Sequence, residues 1–187
     1  ANTNLVSTIY GNTFHRNWQK VDKINGRAIN LVLASGDGGD LDTLRGTKAG
    51  TLTLRNNNRS YYMYGVQSTL KHRKKSGETE HNFEVSLRYH YDQIRRFQKD
   101  EDFTQDANGA ITAVTVADGG ADGNVLQESD AVAVNVQDAI KWGKFTITPG
   151  IRTEYIVGSY NDLGKGRTGT KGTIAIVGGS SVKYDLF

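Results

Sequence analysis

The sequence predicts an all-β fold: an antiparallel transmembrane β-barrel, of which this chain supplies about six long strands belonging to a larger barrel. Three observations predict it. Several segments alternate apolar and polar residues at period two over more positions than soluble strands use. The connections between these segments are either very short or very long. And the 187 residues include 22 Gly but one Pro and no Cys. Scarce Pro suits long paired strands, because Pro cannot donate to a sheet ladder. The lack of Cys excludes a disulfide scaffold and a thiolate metal site.

The charge balance narrows the class further. There are 23 basic and 20 acidic residues, a formal charge of +3. That balance is too even to signal a nucleic-acid surface. No run approaches the roughly 20 apolar residues of a membrane helix, which excludes the helical membrane class. It leaves the barrel class open, since a barrel strand turns only alternate residues to lipid. The chain opens Ala1-Asn2-Thr3 without Met, so a processed form or an internal piece is expected.

The strands follow in order. Residues 4–20 are rich in Thr, Ile, Tyr, Phe and Trp. Residues 59–73 set Tyr62, Tyr64, Val66 and Leu70 against Met63, Gly65, Gln67, Thr69 and Lys71. Residues 81–98 are the most informative: Phe83, Val85, Leu87, Tyr89 and Tyr91 oppose Glu84, Ser86, Arg88, His90 and Asp92. Membrane-barrel strands need about 9–11 such residues. Residues 129–141 set Val132, Val134 and Val136 against Ala133, Asn135 and Gln137. Asp138 then falls on the apolar face, so a bulge or the membrane edge is expected there. Residues 145–160 set Phe145, Ile147, Ile151, Tyr155 and Val157 against Thr146, Thr148, Arg152 and Glu154. A sixth strand holds Val182, Tyr184 and Leu186 on one side, Lys183 and Asp185 on the other.

Residues 74–78 and 142–144 read as tight hairpins. Residues 21–58, 99–128 and 161–179 read as long loops rich in Gly, Asp, Asn and Thr, and short turns on one side with long loops on the other mark an outer-membrane barrel. Tyr61, Tyr62, Tyr64, Tyr89, Tyr91, Phe97, Tyr155 and Tyr160 lie toward the long-loop ends, whereas Trp142 and Phe145 flank a short turn. Two aromatic levels fit the two interfacial girdles of a barrel. Six strands fall short of the eight of the smallest membrane barrels, and an open sheet would leave bare edges in lipid. Either the loops hide strands or the barrel is larger. Complete barrels often close on Phe with an aromatic two residues before it. Here Phe187 is preceded at that position by Asp185, with Tyr184 out of register, which reads as an internal strand cut short.

Several segments resemble the barrel of TonB-dependent outer-membrane receptors, especially the ferric-citrate-like branch. Phe145-Thr-Ile-Thr-Pro-Gly-Ile-Arg-Thr-Glu-Tyr155 is similar to a family strand in which Pro-Gly precedes an Arg and a Glu, and Val134-Asn-Val-Gln-Asp-Ala-Ile140 to the strand feeding that hairpin. Leu87-Arg-Tyr-His-Tyr-Asp92 resembles another strand. The run from Tyr10 through Phe14-His-Arg-Asn-Trp18-Gln-Lys20 resembles an earlier one leading into a long extracellular loop. The resemblance implies that residues 1–187 are a partial receptor β-barrel without the plug domain, within a barrel of roughly 22 strands. It implies a bacterial outer-membrane location, a transported ferric chelate (a siderophore or ferric citrate) and no further cofactor. The inner-membrane energising protein would be engaged through the missing N-terminal part, and no nucleic acid is expected as a partner.

On this reading Arg88, His90, Asp92, Arg152 and Glu154 line the lumen, where inward charges of both signs mostly brace one another or the plug. A sharper expectation is anion capture by Arg88, Arg95, Arg96 or Arg152, because guanidinium matches carboxylate in a two-pronged geometry. Phe83, Val85, Leu87, Tyr89, Ile147 and Ile151 face lipid. Ser35-Gly-Asp-Gly-Gly-Asp-Leu-Asp42 and Asp118-Gly-Gly-Ala-Asp-Gly-Asn124 match no calcium-loop spacing and read as mobile loops. His81 and His90 differ in parity, which argues against a shared metal site on one sheet face. No nucleophile elbow, P-loop or dinucleotide fingerprint is present, so an enzyme is not expected. Two other readings share these strands: a structural or adhesion outer-membrane barrel binding a partner through its loops, and a soluble β-sandwich with a second sheet over the Phe83, Val85, Leu87 face.

Overall fold

The computed structural model describes residues 2–186; Ala1 and Phe187, and with Phe187 the reading of the closing aromatic, lie outside the described residues. Six long strands are present: β1 (Asn2–Ile24), β3 (Gly50–Ser76), β4 (Thr79–Gln105), β6 (Val125–Trp142), β7 (Phe145–Asp162) and β8 (Arg167–Tyr184). Two short strands, β2 (Arg27–Ala28) and β5 (Ile111–Val116), and two short helices, α1 (Ile29–Ser35) and α2 (Gly38–Leu44), fill the connections. All pairings are antiparallel, in the order β2-β1-β3-β4-β6-β7-β8, with β5 on β4. The sheet curls into a half-barrel.

The hairpins at one end turn on glycine. Ser76 pairs with Thr79 and Trp142 with Phe145, leaving two-residue turns that begin with Gly77 (φ 61°) and Gly143 (φ 58°). A positive φ at the first central residue is what a type II′ hairpin turn requires, and glycine adopts it without steric cost.

The opposite end corrects the loop reading. Residues 161–179 are mostly strand: Asp162 pairs with Arg167, and only residues 163–166 turn. Asp162 holds that turn, its Oδ1 accepting from the amides of Gly164 (3.1 Å) and Lys165 (3.0 Å). In residues 21–58, β1 continues to Ile24 and β3 begins at Gly50. Asn25 (φ 48°) and Gly26 (φ 79°) make an Asn-Gly hairpin into β2, the strongest short hairpin signal a sequence can carry. The acidic run 35–42 is not a mobile loop. Asp37 caps α2 by accepting from the Gly39 amide (3.0 Å), and Arg27 donates to both Asp37 (2.7 Å) and Asp40 (2.9 Å). Ile24, Val32 and Thr43 are fully buried beneath this helical cap. In residues 99–128, β4 extends to Gln105 and folds back as β5.

The two sheet faces differ. Along β7 from Phe145 to Tyr155 the odd residues are exposed and the even ones half-buried. A curled sheet crowds its concave side, so the less exposed parity marks the concave face. Phe83, Val85, Leu87, Tyr89, Ile147 and Ile151 therefore share the convex face through continuous register. Among the described residues no second sheet lies over Leu87 (55% exposed) or Ile151 (52%), where the sandwich reading expects one. At the Asp138 position the register is unbroken, which corrects the bulge; the ladder skips residues 138–139 opposite Thr148 and Pro149, because Pro149 has no N–H. Asp138 stays on the convex face near the short turns, where His81 Nδ1 lies 2.7 Å from its Oδ2.

Aromatic rings bound this convex band at two levels. Tyr62, Tyr64, Tyr89, Tyr91 and Tyr155 form the upper one, with the Tyr89 hydroxyl donating to Asp130 (2.6 Å) and the Tyr91 hydroxyl to Glu128 (2.7 Å). Tyr61 and Tyr160 take the opposite parity and point to the concave side, which removes them from the expected girdle. Trp142, Phe145 and Tyr184 form the lower level, Phe145 and Tyr184 with ring centroids 4.8 Å apart. Ten residues of β7 separate Tyr155 from Phe145. At about 3.3 Å per residue that is roughly 33 Å along the strand, or about 23 Å across a membrane at a tilt near 45°, close to the ~25 Å apolar band of outer-membrane barrels.

Candidate functional site on the concave face

Tyr10 of β1 reaches across β3 to side chains of β4. Tyr10 pairs with Gly65, and Gly65 with His90, so the three lie in one row. A Cβ on Gly65 would overlap the Tyr10 hydroxyl and ring and crowd the Tyr89 carbonyl oxygen at 2.7 Å. Glycine thus lets the ring lie flat over the β3 backbone, the close approach for which strands use it. The Tyr10 hydroxyl lies 2.8 Å from His90 Nδ1 and accepts from Arg88 Nε at 3.0 Å. The Tyr10 and His90 rings stack at 5.7 Å, and the Arg88 guanidinium carbon sits 5.7 Å from the Tyr10 centroid. His90 Nε2 is 3.8 Å from the Asp92 carboxylate. Arg88, Tyr10 and His90 thus form one connected polar patch.

The other expected lumen pair sits two strands away. Arg152 donates to Glu154 at 3.0 Å along β7, a bracing contact. Register places Glu154 beyond Ala133 from Arg88, with no direct contact between the two groups. Arg96 lies on the concave face, but Arg95 lies on the convex face, opposite Ser60 and Leu126. Adjacent strand residues point to opposite sides, so Arg95 does not share the concave face with Arg88, Arg96 and Arg152.

Register also unites residues that the sequence reading did not single out. Arg16 pairs with Arg59, and Arg59 with Arg96, so three arginines stand directly opposite one another on adjacent strands of the concave face. Arg16 lies 5.7 Å from the Tyr61 ring centroid. The Arg59 guanidinium beside the Tyr61 hydroxyl, with the Arg16 charge adding to it, holds that phenol below its ordinary pKa. Between this row and the Tyr10 patch lies a groove of about 260 Å³, lined by Asn12, Phe14, Tyr61, Met63, His90 and Asp92 among others. A larger hollow of about 380 Å³ near the short turns is lined by Asn4, Lys71, Asn82, Glu84 and Gln137 and carries no comparable concentration of unpaired charge.

Farther from the short turns, Arg55 grips Asp100 with two parallel hydrogen bonds (2.9 and 2.8 Å), and its Nη2 lies 2.9 Å from Asp22. A bulge between Val21 and Lys23 aims Asp22 at this cluster. Hydrogen bonding from Arg55 holds the Asp100 carboxyl below its usual range, despite the opposing effect of partial burial.

No protein-family model and no curated protein sequence matches the chain. Solved structures do. The ferric citrate transporter FecA in its unliganded form aligns with a TM-score of 0.58 and 20% identity, over 74% of this chain and 21% of that one. BauA, the ferric preacinetobactin receptor from Acinetobacter baumannii, aligns with a TM-score of 0.65 and 9% identity, over 99% of this chain and 26% of that one. This chain has the fold of a section of a TonB-dependent receptor barrel. It spans about a quarter or less of the length of either receptor.

Proposed function

We propose that this chain is part of an outer-membrane importer of ferric chelates, its convex face against lipid and its concave face lining the passage. The observation that carries the reading is the two-faced half-barrel. An apolar convex band lies between aromatic levels spaced for a membrane, and its reverse is polar, with the half-buried Tyr10, Arg88, His90 and Arg96 facing the interior. The two structurally similar proteins, a ferric citrate transporter and a ferric preacinetobactin receptor, support iron chelate as cargo. The helical cap and the tall ends of β3 and β4 then stand outside the cell as the first contact surface. A plug in the parent polypeptide gates passage, and the inner-membrane energising protein drives it. No catalytic chemistry is assigned.

The test is uptake of radiolabelled iron by cells with and without the parent gene, offered as iron(III) citrate and as an uncharged trihydroxamate complex. We expect one of these to enter only when the gene is present, and to stop entering when a protonophore collapses the inner-membrane gradient. Equal, gradient-independent uptake of both by the two strains would sink the importer reading.

A further inference from the structure

We propose that the free edge of β5 is a docking strand for a partner polypeptide, which adds an extended segment with Lys or Arg at both ends as a further strand of the projecting sheet. The inference goes beyond the importer reading and needs only that the β4–β5 hairpin stand clear of the membrane. The edge is open: β5 pairs with β4 along one side and neighbours no other element. In an antiparallel pair alternate residues turn their N–H and C=O away from the partner strand. The outer side of β5 therefore presents backbone donors and acceptors that no described strand pairs. Exposed edges are ordinarily blunted by Lys, Pro or a bulge. Ile111–Val116 has no charged residue and no Pro, and every residue in it is exposed. Its one irregularity lies at Thr112, next to the turn, which leaves Ala113–Val116 regular.

Apolar side chains end abruptly at the same edge. Leu52, Phe103 and Val114 lie in one row across β3, β4 and β5. The row stops at the free edge, with Val114 52% exposed and Val116 53%. Lipid does not cover it, because Phe103 is twelve residues beyond Tyr91 of the upper aromatic level, roughly 40 Å along the strand. An added strand with an apolar residue opposite Val114 continues the row and takes both valines out of water. Charge then sets which segment fits. Residues 100–124 carry Asp100, Glu101, Asp102, Asp106, Asp118 and Asp122 and no Lys or Arg, in a chain of net charge +3. Asp100 holds Arg55, Glu101 holds Lys99 and Asp122 holds Lys165. Asp102, Asp106 and Asp118 have no cationic partner among the described residues. Asp106 precedes β5 and Asp118 follows it, so a carboxylate stands beyond each end of a strand about 20 Å long. Basic residues about six positions apart on an extended segment reach both. A second copy of this chain is disfavoured as occupant, since its edge carries the same carboxylates and like charges on paired strands repel.

The experiment uses the full-length receptor in detergent and three synthetic peptides of alternating Thr and Val. One ends in Lys on both sides, one ends in Glu on both sides, and one is Lys-ended with every backbone amide N-methylated. Amide hydrogen exchange is followed at Ile111–Val116. We expect the Lys-ended peptide, at saturation, to slow exchange there about tenfold or more, because strand addition protects the amides it pairs. The Glu-ended and N-methylated peptides should leave it unchanged. D106N/D118N should bind the Lys-ended peptide about threefold to tenfold more weakly than wild type, by a margin that shrinks as salt is raised. Equal slowing by the Glu-ended peptide overturns the charge selection, and equal slowing by the N-methylated peptide overturns strand addition. No slowing by any of the three overturns the docking edge. Slowing that grows with receptor concentration in the absence of peptide assigns the edge to a second copy and overturns the partner. Should the double variant fail to fold, the comparison of Lys-ended and Glu-ended peptides on the wild-type receptor decides alone.

Discussion

Tyr10 occupies the space above Gly65 where any other residue would place a side chain. Gly65→Ala should therefore cost about 1–3 kcal/mol, the usual penalty for overpacking. It should also displace the Tyr10 hydroxyl from His90 and Arg88. Tyr10→Ala in the G65A background should recover part of that loss, with the remainder due to the Tyr89 carbonyl oxygen; denaturant unfolding of both single and double variants reads the coupling. The convex face gives a second prediction. Leu87→Arg should destabilise the barrel by roughly 2–4 kcal/mol by turning charge to lipid, and Thr8→Arg, on the concave face at neighbouring depth, should cost much less. Equal losses of folded barrel in a heat-modifiability assay would undo the assignment of faces. Ser86 is a poor comparison position despite its parity, for it is buried and its hydroxyl lies 2.9 Å from that of Thr69. At this scale the sequence revealed which residues alternate, since parity needs only one strand. It did not reveal Arg16 and Arg59 as partners of Arg96, because positions 16, 59 and 96 meet only after register is set across connections of different lengths.

Strand β3 and strand β4 each run 27 residues, roughly 90 Å of extended chain, so much of each stands clear of the aromatic levels. Arg55, Asp22 and Asp100 tie that projecting part together. The Asp100 carboxyl titrates lower in the fold than its unfolded value near 3.8. Its stabilisation is therefore complete above that pH and is lost as pH falls through the lower folded value. Hydrogen exchange at the Arg55 and Asp100 amides should stay slow above about pH 4 and quicken below it, and Arg55→Met should remove most of that dependence. Unchanged protection at low pH would show that the clamp contributes nothing. The elements also show where sequence reading stopped. Residues 167–179 carry Gly169, Gly172, Gly178 and Gly179, a loop-like composition. Yet a Cβ on Gly172 would come within 3.0 Å of the Tyr155 hydroxyl, so glycine there makes room for a girdle ring. The Asn25-Gly26 pair was available as a hairpin signal; the capped helices beyond it depended on contacts from Arg27 and Asn25 that no local pattern announces.

Taken whole, the described residues form a sheet whose two outer edges, along most of β1 and along β8, have no paired strand. Unpaired backbone donors and acceptors in hydrocarbon cost several kcal/mol each, so the membrane form needs further strands on both sides. The polypeptide isolated from detergent-solubilised outer membranes should accordingly have a mass several times 20.5 kDa. Residues 1–187 produced alone should associate through their edges and run as heterogeneous species by light scattering. A stable monomer of 20.5 kDa would mean that the edges close on each other and that the larger-barrel reading fails.

The strands are unequal in height: from shared turns at one end, β3 and β4 rise 27 residues while β6, β7 and β8 stop at 18. Register puts Arg96 level with Val125 and Asp162, the terminal residues of the shorter strands. The wall thus steps down at that level, a tall backdrop facing a low sill. A body coming over the sill meets confinement on one side only, so on this flank the passage opens sideways as well as upward. Arrival from that quarter needs no parting of strands and should be paced by diffusion. The breadth of the step would then sort arrivals by size at the threshold, before any close fit is tested.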